Sequence, residues 1–230
     1  LNLVDSHDTD RIASMIVNAD RAPYRQAERF DYDVSERVSP RYWADYQVRR
    51  PNERERRIQR LAALMQMTYV GPPMIYYGTE SGMWGGDDPD CRKPMVWPDL
   101  QFEAEISHPY ARVRNADSVY FDHDIFQWYK KLIALRKNEK ALALGQIDFF
   151  LIDITKKAIG FRRFHEDREL YVVFNNHLQT TSIRLDLQKL DPEANVVRDL
   201  ITDQEVNGAG GDFQLRLSAF QIVVLEKSNR

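Results

Sequence analysis

The stretch "VGPPMIYYGTE", Val70 to Glu80, decides how the rest of the chain reads. Met74 to Tyr77 form an unbroken apolar run between the breakers Gly71, Pro72 and Pro73 on one side and Gly78 on the other. Such a run, with no polar alternation, predicts a strand covered on both faces, as the strands of parallel sheets are. Upstream, Asn52 stands three residues before Glu55, a cap-and-carboxylate pair that starts a helix at the Pro51–Asn52 junction. Ile58, Leu61, Ala62, Met65 and Tyr69 then recur at helical spacing until the Gly-Pro-Pro stop. Downstream, a second helix begins near Asp122 and carries Ile125, Tyr129, Leu132, Ile133 and Arg136. The opening of the chain repeats the pattern, because the mostly apolar run Leu1 to Val4 discharges into Asp5, Ser6, His7, Asp8, Thr9, Asp10 and Arg11. The first half is therefore two βα units, each a strand, a long loop and a helix.

The loops Thr9 to Pro51 and Thr79 to Phe121 far exceed the roughly 2 to 6 residues usual in βα connections, and loops after barrel strands are where such enzymes place their sites. Parallel strands need covered faces and neighbours on both edges, so two units alone make an incomplete sheet. The whole that fits is a TIM-type (β/α)8 barrel, which runs to about 250 residues, with the stretch before Gly145 as its last two units. On this reading the faces meant for the remaining strands and helices stand open, which predicts self-association or a disordered barrel part.

From about Gln146 the texture changes. "IDFFLI", "AIGFRRF", "LYVVFN", "TTSIRLDL", "FQLRL" and "FQIVVLE" are separated by turn-rich pieces such as "HEDRE" and "NGAGGD". This predicts an antiparallel β-sandwich of roughly eight strands. The expected domains are residues 1–144, the α/β barrel portion, and residues 145–230, the all-β domain.

Composition narrows the function. With 43% apolar residues the chain builds real cores, and a net charge of −3 with mixed signs offers no basic field for nucleic acid or anionic lipid. No nucleic-acid partner is therefore expected, and no membrane partner either, as no apolar run approaches the roughly 18 residues of a spanning helix. The single cysteine, Cys91, excludes an internal disulfide and a cysteine-based zinc site. Nothing here separates cytoplasm from periplasm.

Three stretches, in order, carry a family resemblance: "LVDSHDTDR" (Leu3 to Arg11), "VGPPMIYYGTESGM" (Val70 to Met83) and "WGGDDPDCRKPMVW" (Trp84 to Trp97). The chain resembles the alpha-amylase superfamily of glycoside hydrolases, particularly its neopullulanase and cyclomaltodextrinase-like members. The first stretch looks like the end of the seventh barrel strand, the second like the eighth, and the third like the sugar-binding loop after it. The all-β tail is similar to the C-terminal sandwich of these enzymes. The resemblance implies a retaining hydrolase of α-1,4 bonds in starch-type oligosaccharides. Asp8 would be its third catalytic carboxylate, stabilising the transition state, and His7 would hydrogen-bond sugar hydroxyls. Asp88 and Arg92 would hold sugar at the donor end of the cleft. Hydrogen bonds to ring hydroxyls that tighten around an oxocarbenium-like transition state supply several kcal/mol in such mechanisms.

Trp43, Tyr46 and Trp84 lie in the long loops and have two readings, as platforms for glucose rings or as aromatics that pin the loops. Glu80 reads as a hydrogen-bonding anchor of its loop. Asp87, Asp88 and Asp90 lack the ligand spacing of a calcium loop, so neither metal nor cofactor is expected.

The resemblance also implies an Asp nucleophile and a Glu general acid on the fourth and fifth barrel strands, and neither segment is in this sequence. "IRLDL", Ile183 to Leu187, has an Arg-x-Asp but sits in an alternating β run and reads as a sandwich strand. A retaining mechanism needs two carboxyl groups about 5 to 5.5 Å apart, and Asp8 cannot serve as both. The chain alone is therefore expected to hydrolyse nothing, its partners being an α-glucan and the remaining, N-terminal part of its own barrel. A transglycosylase of the same superfamily and a non-catalytic amylase-like carbohydrate-binding or interaction protein are the other readings.

Overall fold

The computed structural model describes residues 1–21, 38–188 and 192–228. The part of the expected Thr9–Pro51 loop from 22 to 37 lies outside the described residues. The chain forms two compact units, Leu1–Ala63 with Pro73–Lys131, and Leu64–Pro72 with Leu132–Arg230.

In the first unit, β1 (Asn2–Leu3) pairs in parallel with β2 (Pro73–Met74), Asn2 opposite Pro73 and Leu3 opposite Met74. The parallel pairing is the one the sequence requires. The expected cover on both faces is not present among the described residues: Leu1 is 81% exposed, Leu3 47% and Met74 37%. The strand is also shorter than Met74–Tyr77, because after Met74 the chain leaves the ladder and turns at Gly78, whose φ of 81° a side chain rarely adopts.

The stretch after β1 is not wholly loop, as α1 (Ile12–Asn18) follows it and buries Ala13, Ser14, Val17 and Asn18. Seven residues are too few for a helical period to register in sequence. Helix α2 (Glu53–Thr68) begins where its cap predicts: the Glu55 N–H donates to Asn52 Oδ1 at 3.0 Å, and the Asn52 N–H donates to Glu55 Oε2 at 2.7 Å. Arg49 grips the same carboxylate with two bonds of 2.7 and 2.6 Å. Helix α3 (His123–Asn138) starts at Asp122, whose carboxylate accepts the Ile125 N–H and pairs with Arg50 and Arg56 at 3.1 and 2.9 Å.

In the second unit, α4 (Lys140–Ala143) leads into β3 (Gln146–Asp153), β4 (Ala158–His165), β5 (Arg168–Asn175), β6 (Thr181–Asp186), β7 (Val196–Asp199), β8 (Glu205–Asn207), β9 (Asp212–Leu217) and β10 (Ile222–Lys227). Six strands form one antiparallel sheet in the order β3-β4-β5-β10-β7-β8, and β6 pairs with β9 in another. Tyr171, Val173, Val223 and Leu225 of the large sheet share a core with Ile183, Leu185, Phe213 and Leu215 of the small one. "IRLDL" is a strand segment: Ile183, Leu185 and Leu187 are buried while Arg184 faces out and pairs with Asp212 at 2.8 Å.

Arginines close this unit. Arg163 is buried and donates to the carbonyls of Thr68, Leu142, Gly145 and Gln146, the last three at 2.9, 2.9 and 3.2 Å. Arg136 donates to Met67, Tyr69 and Gly71 carbonyls at 2.7, 3.0 and 2.7 Å. Both serve orphan carbonyls at and beyond the end of α2, where cations suit the helix dipole.

Candidate functional site

The site is built from the loops that follow β1 and β2. Asp5 is buried and joins them: its Oδ2 accepts the Ile12 N–H that opens α1, at 3.1 Å, and the Thr79 hydroxyl, at 2.7 Å. Burial pushes the Asp5 carboxyl up, against the pull of these bonds and of Arg11. Between Asp5 and α1 the chain makes a tight turn, in which Ser6 N–H donates to Thr9 Oγ1 at 3.0 Å and Asp8 N–H to Ser6 Oγ at 3.1 Å. The turn presents His7 and Asp8 to solvent.

Arg11 lies below that turn, fully buried. Its Nε donates to the Cys91 carbonyl at 2.9 Å and its Nη1 to the Tyr77 carbonyl at 2.8 Å, while its guanidinium sits 4.6 and 5.0 Å from the ring centres of Tyr76 and Tyr77. Its backbone N–H donates to Gly85 O at 3.0 Å, and Gly85 has no room for a side chain, since a Cβ would stand 2.4 Å from Asp90 O. One side chain thus holds the end of the second strand segment and the residue before Arg92 against the first loop.

Arg92 brings the predicted residues together. Its Nη2 lies 2.9 Å from Asp88 Oδ2 and 3.1 Å from Asp8 Oδ1, and its Nε donates to the His7 carbonyl at 2.9 Å. His7 Nε2 is 3.0 Å from Asp8 Oδ2. Asp8 and Arg92, 84 positions apart in sequence, are in direct contact, and all four side chains face water. Two carboxylates, a guanidinium fork and an imidazole on one open surface supply alternating acceptors and donors, which suits a neutral polyhydroxylated ligand whose hydroxyls do both.

The neighbouring acids disperse. Asp90 pairs with Arg41 at 3.1 Å, Asp88 with Arg92, and Asp87 turns inward, its carboxyl pushed up to about 6 by burial and then by Asp90. Among the described residues no three His, Cys, Asp or Glu side chains are placed to hold a metal ion.

Two of the aromatic candidates are corrected. Tyr46 is 3% exposed and donates its hydroxyl to the buried Asp10 at 2.9 Å, and Trp84 is 4% exposed under the Lys93 ammonium. Both rings are loop pins, because the long loops fold back over them and leave no free ring face for a sugar platform. Trp43 is half-buried. Glu80 Oε2 is buried with no hydrogen-bond partner among the described residues, and Thr79 and Ser81 hold that turn through Asp5 and the Gly78 carbonyl. Arg11 and Asp5 are the positioning residues the sequence did not reveal. Both lie in a polar run whose reading as a solvated cleft edge hides which members turn inward.

Residues 35–145 match the family model "Alpha amylase, catalytic domain". That stretch is similar to an alpha-amylase catalytic domain. The matched stretch contains Asp88 and Arg92, and His7 and Asp8 lie ahead of it. Among curated relatives, Neopullulanase 2 of Thermoactinomyces vulgaris is 33% identical over 166 residues, 72% of this chain and 25% of that protein. A cyclomaltodextrinase of a Bacillus species is 34% identical over 122 residues, 53% of this chain and 18% of that protein. The chain thus spans a quarter or less of the relatives it matches. An Anoxybacillus alpha-amylase crystal structure superposes with a TM-score of 0.66 at 20% identity, covering 99% of this chain and 38% of that one. A solved cyclomaltodextrinase gives 0.63 at 24% identity, covering 98% and 29%. These likenesses place the fold among the alpha-amylases.

Proposed function

We propose that this chain is the C-terminal part of a retaining α-glucan hydrolase, supplying the last two βα units of its barrel and a β-sandwich domain. Asp8 is the transition-state-stabilising carboxylate, His7 hydrogen-bonds the sugar in the reacting subsite, and Asp88 with Arg92 holds the donor-side sugar. Trp43, half-buried in the first loop, remains a candidate platform. The observation that carries the reading is the meeting of His7, Asp8, Asp88 and Arg92 on one exposed surface through the Arg92 fork. The names of the relatives support starch-type glucans as the substrate class.

In the unliganded chain Asp8 and Asp88 share the Arg92 guanidinium, so sugar hydroxyls exchange with a charged network already in place. Such preorganisation favours the transition state because no dipoles need turn during reaction. The nucleophile and general acid come from barrel segments outside this sequence, which also cover the exposed faces of β1 and β2. Alone, the chain binds glucan and does not cleave it.

Calorimetric titration with maltotriose tests the reading: binding is expected in the wild type and lost in Asp8→Asn and Arg92→Ala, with cellotriose as the negative control. Binding that survives both substitutions overturns it. Release of reducing sugar from maltotriose, pullulan or cyclodextrin by the chain alone overturns the predicted inactivity.

A further inference from the structure

Cys91, the single cysteine of the chain, is fully buried against the turn that carries His7 and Asp8, and its thiol donates to the His7 carbonyl at 3.2 Å. We propose that Cys91 is a positioning residue of the reacting subsite, whose S–H fixes the His7 peptide so that Asp8 keeps its place when a glucan engages Arg92. The inference rests on the functional reading above and adds to it a residue that acts through His7 and Asp8 without touching sugar.

Three observations carry it. The first is convergence: the His7 carbonyl accepts from Cys91 Sγ at 3.2 Å and from Arg92 Nε at 2.9 Å, one donor for each of its two lone pairs. The peptide held in this way is the one that joins His7 to Asp8. The second is the unequal exposure of the two donors. The Arg92 side chain is 44% exposed and also serves Asp8 and Asp88, at 3.1 and 2.9 Å, so sugar hydroxyls compete for it directly. Cys91 has no exposed surface. It is the donor a ligand does not reach, and it holds the turn while Arg92 exchanges partners. The third is support from behind. The Cys91 carbonyl accepts from Nε of the buried Arg11 at 2.9 Å, and the Cys91 N–H donates to the Asp87 carbonyl at 3.3 Å, so the thiol is mounted on a fixed backbone. Burial also pushes the Cys91 thiol up, which keeps the sulfur protonated and able to donate. A buried cysteine commonly acts as a small apolar filler. Cys91 differs in having a defined acceptor, and that acceptor lies in the residue pair that faces sugar.

Three variants separate donor from filler. Cys91→Ala removes both the hydrogen bond and the volume, Cys91→Val keeps the volume without a donor, and Cys91→Ser keeps a donor. Maltotriose affinity, read by calorimetry, is expected to fall about threefold to tenfold in Cys91→Ala and Cys91→Val, as for the loss of one hydrogen bond, and to recover in Cys91→Ser to within about twofold of wild type. The carbonyl-carbon NMR resonance of His7 in the unliganded chain is the second readout. It should shift in the Ala and Val variants and return toward its wild-type position in the Ser variant. Wild-type affinity and an unmoved resonance in Cys91→Val identify a filler and overturn the inference. A Ser variant that recovers neither quantity overturns it as well, and so does a resonance that moves with no change in affinity, for then the bond exists and positions nothing. The Val and Ser variants keep the test intact should Cys91→Ala fail to fold. Each of these failures leaves the functional reading standing, whereas a wild type that binds no maltotriose overturns both.

Discussion

Replacing Arg11 by Met is the sharpest test of how the site is held. The substitution keeps the volume of the buried stem and removes the guanidinium. It strips two charge-assisted hydrogen bonds, to the Tyr77 and Cys91 carbonyls, and the stacking on Tyr76 and Tyr77. The buried Cys91 carbonyl left unsatisfied costs about 1 to 3 kcal/mol, and the half-buried Tyr77 carbonyl less. The lost cation–π contacts add about 1 to 2 kcal/mol at a desolvated site. Against this stands relief from burying a charge, several kcal/mol for an ion taken out of water. The balance is a loss of about 3 kcal/mol, a large fraction of the roughly 5 to 15 kcal/mol that holds a domain together. The assay is urea unfolding followed by tryptophan fluorescence, because Trp43, Trp84, Trp97 and Trp128 all lie in the first unit. With a slope of about 2 kcal/mol/M the midpoint should fall by about 1.5 M. Maltotriose binding should weaken even under conditions where the variant is folded, since Cys91 and Arg92 lose their tie to the first loop. A midpoint within about 0.3 M of wild type, together with unchanged binding, would refute the role assigned to Arg11.

Other outcomes follow from the same geometry. Asp87 has a folded-state pKa of about 6 against an ordinary 3.8, so its contribution to stability is present in full below pH 3.8 and is lost as pH rises through 6; Asp87→Asn should flatten this part of the stability profile, measured by thermal unfolding between pH 3.5 and 7. Tyr46→Phe removes the hydroxyl bonded to Asp10 and should cost about 1 to 3 kcal/mol in the urea experiment while leaving sugar affinity unaltered, whereas a true platform would keep its affinity only through the ring. Tyr46→Ala then separates the two, because a platform loses sugar affinity with the chain still folded. Arg163→Met strips four carbonyls of their donor, three of them in buried bonds, and should destabilise the second unit by about 3 to 5 kcal/mol, followed by far-ultraviolet circular dichroism. Raising salt from 0.1 to 1 M should leave the Arg163 effect in place, since its partners are carbonyls and not exposed carboxylates.

What the sequence determined by itself was local. The Asn52–Glu55 cap, the apolar face of α2, the alternation of β6 and β9, and the breaker at Gly71 to Pro73 are each written within a few neighbouring residues, because helices and turns are closed by bonds over three or four positions. The family motifs belong to the same category, as short strings whose members can be read without knowing what lies opposite. Tertiary structure decided everything that depends on cover. Asp5, Arg11 and Tyr46 sit in polar or turn-rich stretches that read as open cleft, yet each is buried against a segment far along the chain, Arg11 against Tyr77 and Cys91, 66 and 80 positions away. Burial is a property of two surfaces in contact, and a one-dimensional pattern records only one of them. The same reason placed Arg92 on Asp8: the parallel pairing of β1 with β2 brings their following loops to one end of the strands, and only then does a guanidinium in the second loop meet a carboxylate in the first.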